Sequence, residues 1–559
     1  MGKNSGVIMS KYPIENAVLF KPKQLRKVNL NKITFRQYMA AMLIYSKYAS
    51  KQDIPSPNEL KETIGFKTDR MLDITLSSLA SKGIIEYKNK KVFINENLGE
   101  LKNKFIDPLL LSKDHITYFQ LKNLILNDSS PHLTFPTRMG IQLPYTFPSS
   151  KPSLIDNSIN TKNIVNRWYN YLEDFPSYLI SKKLNEYGIQ RNNIVFDPFV
   201  GSGTTVVTSN LLGIDAIGTD VNPIASFVSK VKTTFDIDLN KFIEESRKII
   251  LDYNSVSNYL STVKLKSNFI DNMGFIEANQ WLKPKTQNEV AYIKERISEV
   301  EDIKIRNLFK LALIEASIEA SNVSFCPGTS FYPFRKRPAF IEAFKRQISI
   351  ISEDLMLLKK LNPDYGKSKI YNKDCRKATS FIKKESVDFI ITSPPYPNDL
   401  EYTRQTRLEL FLLDFVENLN DVRKIKHNMV KGSTKLIYKK SSSAKYVKSF
   451  SSVQDVAEKL ESAFANKNWG WDYPRMVREY FGDMFIVLQK MKYVMKPDSY
   501  SLYVVGDQTY KNVLIPVGKI LEEFALSLGY SDAKIELFRV RKSTIHNTPL
   551  NEEIVILKS

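Results

Sequence analysis

The chain has 559 residues, is 43% hydrophobic and 25% charged, and sets 81 Lys and Arg against 60 Asp and Glu for a formal net charge of +21. That length predicts three to four domains with ample material for a core, and the basic excess predicts a polyanionic partner, either nucleic acid or an anionic membrane surface, unless a Lys-rich, AT-rich genome accounts for it. Two cysteines, Cys326 and Cys375, and four scattered histidines exclude a disulfide framework and a Cys- or His-based metal cluster, so no metal is expected.

The N-terminus, MGKNSGVIMSKYPIEN, has neither the apolar stretch of a secretory signal nor a hydroxyl residue at myristoylation spacing. No run approaches the roughly 18 apolar residues of a membrane span. A cytoplasmic protein is therefore expected. Residues 1–150 hold 22 Lys and Arg against 12 Asp and Glu, about half the excess charge in roughly a quarter of the chain.

Residues 34–97 read as helices followed by a hairpin. TFRQYMAAMLIYSKYA has apolar residues at helical spacing. SPNELKETIGF opens with Ser56 and Pro57, an N-cap and a first-turn proline, and Gly65 ends it. DRMLDITLSSLASKG places Leu72, Leu76 and Leu79 on one side, with Gly83 at the C-cap. IIEYKNKKVFIN reads as two strands around Lys88-Asn89-Lys90. The order resembles a winged helix-turn-helix, so residues 1–100 are expected to form a winged-helix-like DNA-binding domain. Lys67 and Arg70 would lie at the start of its reading helix. A protein–protein module is the alternative. Residues 101–160 form a connector, in which Pro136, Pro144, Pro148 and Pro152 argue against helix. Beyond it, strands and helices alternate, which predicts an α/β sheet.

The segment NNIVFDPFVGSGTTVVTSNLLGIDAIGTDVNP, 192–223, reads as strand, Gly-rich turn, helix and second strand ending at Asp220. Its glycines let the backbone approach a ligand closely, and an acid at the end of the second strand suits ribose hydroxyls. Neither the G-x-G-x-x-G dinucleotide fingerprint nor a Walker loop is present. A further buried strand, Val387 to Ile391, ends in Thr392-Ser393-Pro394-Pro395-Tyr396, where two prolines stop the ladder and stiffen the turn. Rigid presentation of Ser393 and the Pro394 carbonyl suits a planar polar group.

Together, Asp197-Pro-Phe-Val-Gly-Ser-Gly203 and Ser393-Pro-Pro-Tyr396 resemble the two signature motifs of the S-adenosylmethionine-dependent DNA amino-methyltransferases. The continuation Pro-Asn…Tyr402-Thr-Arg404…Arg407-Leu-Glu-Leu410 is similar to the cytosine-N4 branch in particular. The resemblance covers roughly residues 165–559. It departs at Glu173-Asp174, where Ala-Lys is frequent, so only Phe175 and Pro176 carry over from that segment.

The resemblance implies a Rossmann-like doubly wound methyltransferase sheet, in residues 161–235 and 366–559. In it, Gly201, Ser202 and Gly203 would wrap the methionine part of S-adenosylmethionine, beside Phe199 and Thr204, with Asp197 on its amino group or backing the loop. Asp220, with Asn222 next to it, would take the ribose hydroxyls, and Asp374 would reach the adenine amine. Ser393 and the Pro394 carbonyl would accept hydrogen bonds from an exocyclic amine, Pro395 would stiffen the turn, and Tyr396 would stack on a base flipped from double-stranded DNA. Direct methyl transfer follows, with no covalent enzyme–base intermediate. Neither cysteine sits in a Pro-Cys nucleophile context. Ser at the first motif position favours cytosine N4 over adenine N6 in the family.

The two motifs stand 190 residues apart, and residues 236–365 account for the distance as a helical insertion. Its basic aromatic stretch FYPFRKRPAF is either a lobe over the DNA or plain packing. Arg423 to Lys448 carries nine Lys and Arg and no acid. With Lys439 and Lys440, residues 423–470 are expected to form a mobile basic loop that orders on phosphate. The overall expectation is a prokaryotic, nucleoid-associated DNA methyltransferase of a restriction–modification or defence system, with a cognate restriction endonuclease as a partner. The alternatives are an adenine-N6 enzyme, an RNA guanine-N2 enzyme and a non-catalytic DNA-binding regulator.

Overall fold

The computed structural model describes residues 60–61, 68–81, 86–88, 91–93, 164–171, 175–258, 260, 272–273, 275–325, 329–361, 364–542 and 549–559. The chain divides into two compact units, Met1–Tyr145 and Thr146–Ser559.

In the first unit, α1 (Asp69–Ser81) follows Thr68, whose hydroxyl accepts a hydrogen bond from the Met71 amide at 3.3 Å. Leu72, Leu76 and Leu79 are buried along one side, as their spacing requires. Strands β1 (Glu86–Lys88) and β2 (Lys91–Phe93) pair antiparallel with Lys88 opposite Lys91. Arg70 is exposed on the first turn of α1. Lys67 and the two helices read before it lie outside the described residues, apart from Leu60 and Lys61, so only one helix and one hairpin of the expected winged-helix-like domain are described.

The second unit is built on a seven-stranded sheet. Its elements begin with α2 (Ser177–Glu186), β3 (Ile194–Asp197), α3 (Thr204–Leu211), β4 (Asp215–Thr219) and α4 (Pro223–Lys232). Helices α5 (Leu239–Val256), α6 (Phe275–Trp281), α7 (Pro284–Ser298) and α8 (Ile303–Ala320) come next. A two-stranded ribbon follows, β5 (Val323–Ser324) with β6 (Ser330–Phe331), and then α9 (Phe340–Leu361). The chain returns through β7 (Ser368–Tyr371) and β8 (Val387–Thr392). Short helices α10 (Tyr402–Gln405), α11 (Arg407–Leu412) and α12 (Leu419–His427) precede the long α13 (Ser451–Phe464) and α14 (Tyr473–Val494). The rest comprises β9 (Met495–Gly506), a β10–β11 ribbon (Gln508–Tyr510, Val513–Ile515), α15 (Val517–Ser527), β12 (Asp532–Lys542) and β13 (Pro549–Lys558).

Across the sheet the order is β12-β13-β9-β8-β3-β4-β7. The β7–β4, β4–β3, β3–β8 and β8–β9 pairs are parallel, and only β13 runs against the rest. The chain leaves β3 toward β4 and β7 and then returns to β8 on its other side. The sheet is thus doubly wound, and its order reverses between β3 and β8, where such sheets bind ligands.

Side-chain alternation explains the near-continuous apolar strands. Val195, Phe389, Ile391, Leu502, Val504, Ile554 and Ile556 meet Leu179, Ile180 and Leu184 of α2 on one face. Their neighbours Phe196, Ile390, Tyr503, Val505, Val555 and Leu557 meet α13, α14 and α15 on the other. Both faces are covered, so a period-2 polar face never develops.

Helices α5 to α9 form the insertion. Helix α8 buries Leu308, Leu311, Ala312 and Leu313 around its circumference, which makes it the centre of the lobe. The lobe also pins the segment before the sheet. The Asp354 carboxylate on α9 accepts from the Val165 amide at 2.8 Å, from Trp168 Nε1 at 2.8 Å and from Arg167 Nη2 at 2.6 Å. No helix among the described residues is long and apolar enough to cross a membrane.

Candidate functional site

Strand β3 ends in a turn that reaches the start of α3. Gly201 and Gly203 have φ of +49° and +92°, which most side chains avoid. Space also excludes a side chain: a Cβ on Gly201 would meet Tyr171 Cε1 at 3.3 Å, and one on Gly203 would lie 3.0–3.1 Å from Ser229. The turn is fixed from below. The Ser229 hydroxyl donates to the Gly201 carbonyl at 2.8 Å, and the Gly201 amide donates to Asp220 Oδ2 at 3.2 Å. Asp220 Oδ1 accepts from the Asn222 amide at 2.8 Å. Burial pushes the Asp220 carboxyl up to about 6, against the pull of the Asn222 and Gly201 amides.

A cleft opens over this turn and continues to the end of β8. Of the residues expected to bind cofactor, Phe175, Phe199, Gly201, Thr204, Asp220, Asn222 and Asp374 line it, together with Ser393, Pro394, Pro395 and Tyr396. The sheet thus brings both motifs into one cavity. Four other expected residues lie behind the lining. Pro176 is buried at the start of α2, Ser202 is buried within the turn, and Gly203 is the left-handed N-cap of α3. Asp197 backs the loop: its Oδ1 accepts from the Phe199 amide at 3.0 Å and from Thr392 Oγ1 at 2.6 Å. That last bond ties the Gly-rich turn to the residue just before Ser393.

Three of the site residues also carry contacts within the protein. Both Asp374 oxygens already carry Arg376, through Nε to Oδ1 at 3.0 Å and Nη2 to Oδ2 at 2.8 Å. The carboxylate therefore reaches a ligand only through its remaining lone pairs. Tyr396 is only 7% exposed, with the Arg541 guanidinium 5.5 Å from its ring centroid and its hydroxyl donating to Glu552 Oε1 at 2.9 Å. At most one ring face is left for a base. Asn222 divides its side chain between the Ile224 amide, at 3.1 Å, and Thr406 Oγ1, at 3.0 Å, so it holds α4 and α10–α11 together.

Sequence reasoning missed Tyr171, Lys373, Asn428, Met429 and Val430, which also line the cleft. It also missed Glu552 and Arg541 beneath Tyr396. None of these stands in a motif, and only the fold brings them to the cleft.

The basic segment 423–448 is not a free loop. Helix α12 and two 3-10 turns are tethered to α14, where Asp483 accepts from the Lys431 amide at 3.1 Å and from Ser443 Oγ at 2.7 Å. Glu479 accepts from the Ser443 amide at 2.8 Å, and Asp399 from the Thr434 amide at 2.9 Å. Carboxylates outside the segment satisfy part of its backbone. Lys439 and Lys440 stand exposed on the turn between.

The cleft also shows what it could hold. Buried Thr204 Oγ1 has no hydrogen-bond partner, and the glycine turn leaves backbone rather than side chain facing the space. Acceptors at Asp220 and an unpaired hydroxyl at Thr204 fit a ligand with ribose hydroxyls and an amino-acid end.

A family model described as DNA methylase, of the N6/N4 methyltransferases, matches residues 19–227. The chain is similar to the type II methyltransferase M.BsoBI of Geobacillus stearothermophilus, at 22% identity over 70% of this chain and 83% of the relative. It is also similar to the type II methyltransferase M.MvaI of Kocuria varians, at 24% identity over 65% and 81%, and to M.AvaI of a Nostoc species, at 25% over 66% and 80%.

Proposed function

We propose that the chain, which is similar to the S-adenosylmethionine-dependent DNA amino-methyltransferases, methylates the exocyclic N4 amine of a cytosine flipped from double-stranded DNA. The observation that carries this reading is the single cleft that joins the Gly-rich turn to Ser393-Pro394-Pro395-Tyr396. S-adenosylmethionine supplies the electrophilic methyl group. Around it, the backbone of Gly201, the Thr204 hydroxyl and the Asp220 carboxylate form the cradle. Ser393 Oγ and the Pro394 carbonyl accept from the target amine, which holds the nitrogen lone pair in line and concentrates negative potential where positive charge develops. Serine rather than Asp or Asn at position 393 supports cytosine over adenine. Exposed Lys439 and Lys440, and exposed Arg335 and Lys336 in the turn after β6, would meet phosphates. The similarity to type II methyltransferases supports a role beside a cognate restriction endonuclease.

Incubation of mixed-sequence DNA with methyl-labelled cofactor, followed by nucleoside analysis, tests the reading. Label in N4-methylcytosine is expected. Label only in N6-methyladenine moves the target to adenine, and label in no nucleoside refutes DNA methylation by this site.

A further inference from the structure

Behind the proposed base site runs a chain of hydrogen bonds whose direction is forced. Glu552, on β13, is 6% exposed, and its Oε2 is paired with Arg539 Nε. An ionised carboxylate can only accept, so the 2.9 Å bond to Tyr396 places the phenolic proton on the side of Glu552 Oε1. Burial and the neighbouring Glu552 charge push the phenol well above its ordinary range, which keeps that proton on Tyr396. The Tyr396 oxygen is thereby left as an acceptor. Ser393 Oγ lies 3.5 Å from it, a loose approach of the kind that tightens when a site is filled. Once Ser393 donates its own proton to Tyr396, its lone pairs face the cleft. Arg541 fixes the tyrosine ring: its guanidinium sits 5.5 Å from the centroid and donates to the Asp507 carbonyl at 3.0 Å. Gly506 permits this packing, since a Cβ there would meet Arg541 Nη2 at 2.6 Å and Tyr396 Cε2 at 3.1 Å.

We infer that Glu552 is a positioning residue which, acting through Tyr396, fixes the Ser393 hydroxyl as a pure acceptor and so makes the pocket select a base bearing an amine over one bearing a carbonyl. The inference rests on the methyl-transfer reading above and adds the source of its polarity. Ion pairing with Arg539 holds Glu552 as a fixed acceptor.

The substitution Glu552→Gln tests the direction. Arg539 offers only donors, so the introduced amide must turn its oxygen to Arg539 and its NH2 to Tyr396. Tyr396 then donates to Ser393, and the serine proton points at the target amine. Tyr396→Phe, by contrast, merely frees the serine rotor. The expected loss in kcat on mixed-sequence DNA is roughly 10- to 100-fold for Glu552→Gln and smaller for Tyr396→Phe, with cofactor Kd unchanged in both. Adding Arg539→Met to Glu552→Gln lets the amide turn back, and kcat should recover severalfold. A merely structural role would make the double variant worse. Wild-type kcat in both single variants, weakened cofactor binding in step with kcat, or no recovery in the double variant would each overturn the inference. Absence of methyl transfer by the wild-type protein would instead defeat the underlying reading.

Discussion

Asp354 offers a sharp test of how the insertion supports the cleft. Its carboxylate, 2% exposed, holds the Val165 amide, the Trp168 indole and the Arg167 guanidinium. Truncation to alanine strands two buried neutral donors, at about 1–3 kcal/mol each. It also breaks a buried ion pair, worth about 3–5 kcal/mol when one partner is removed. Arg167 keeps Glu353, at 3.2 Å, and the two costs share atoms, so their sum overstates the loss. A decrease of about 4–6 kcal/mol in unfolding free energy is expected. Burial of Ile164, Val165, Trp168 and Tyr169, at about 1.5–3 kcal/mol per large side chain, exceeds that cost, so the segment should stay docked but loosened. Tyr171, whose ring packs beside Gly201, then loses its position, and cofactor affinity falls several-fold. Asp354→Asn retains one acceptor and should lose about half as much stability. Urea denaturation, hydrogen exchange at the Trp168 amide and cofactor titration measure the three effects. A stability loss below about 1 kcal/mol with unchanged Trp168 protection would refute the reasoning.

Other expectations follow from the same geometry. Gly203→Ala forces a left-handed residue against Ser229 and should cost about 1–2 kcal/mol from backbone conformation alone, seen as a lowered Tm together with weaker cofactor binding. The Asp220 carboxyl sits at about 6 in the folded chain, above its unfolded value. Its contribution to stability is therefore largest at low pH and is lost as pH rises through about 4 to 6. Cofactor affinity should run the opposite way, rising up to tenfold per pH unit until about 6 and then levelling, because ribose hydroxyls need the ionised acceptor. Calorimetric titration from pH 5 to 8 checks this, and a flat profile would remove Asp220 from the ribose. Lys439→Ala with Lys440→Ala should reduce the slope of log K against log salt by about 1 for each lysine that neutralises a phosphate, without changing cofactor Kd.

Much of the site could be read from the sequence because its parts are local. A strand ending in Gly-Ser-Gly and another ending in Ser-Pro-Pro-Tyr announce backbone features that depend on those residues alone. Roles set by tertiary packing could not be read. Nothing in the run Asn551-Glu552-Glu553 tells which glutamate turns inward to Tyr396. Only the β13 register, with Glu552 opposite Gly506, decides it. The basic run 423–448 misled for a related reason. Its composition is that of a solvated loop, while the carboxylates that anchor it, Asp399, Glu479 and Asp483, lie outside it.

The β3–β8 pairing has a consequence for how the chain is made. Val195 lies beside Phe389 and Phe196 beside Ile390, so this central seam of the sheet closes only after the whole insertion has been synthesised. At equilibrium that detour is cheap, since each doubling of a loop costs only about 0.6 kcal/mol. In time it is not. At about 5–20 residues per second, the open edge of β3 waits roughly 10–40 s on the ribosome for its partner. An unpaired apolar edge invites the wrong strand, and β3 limits that exposure by being only four residues long. The insertion's helices, complete before β8 emerges, can meanwhile hold the preceding segment through Asp354, so one side of the cleft can assemble while the other is still emerging.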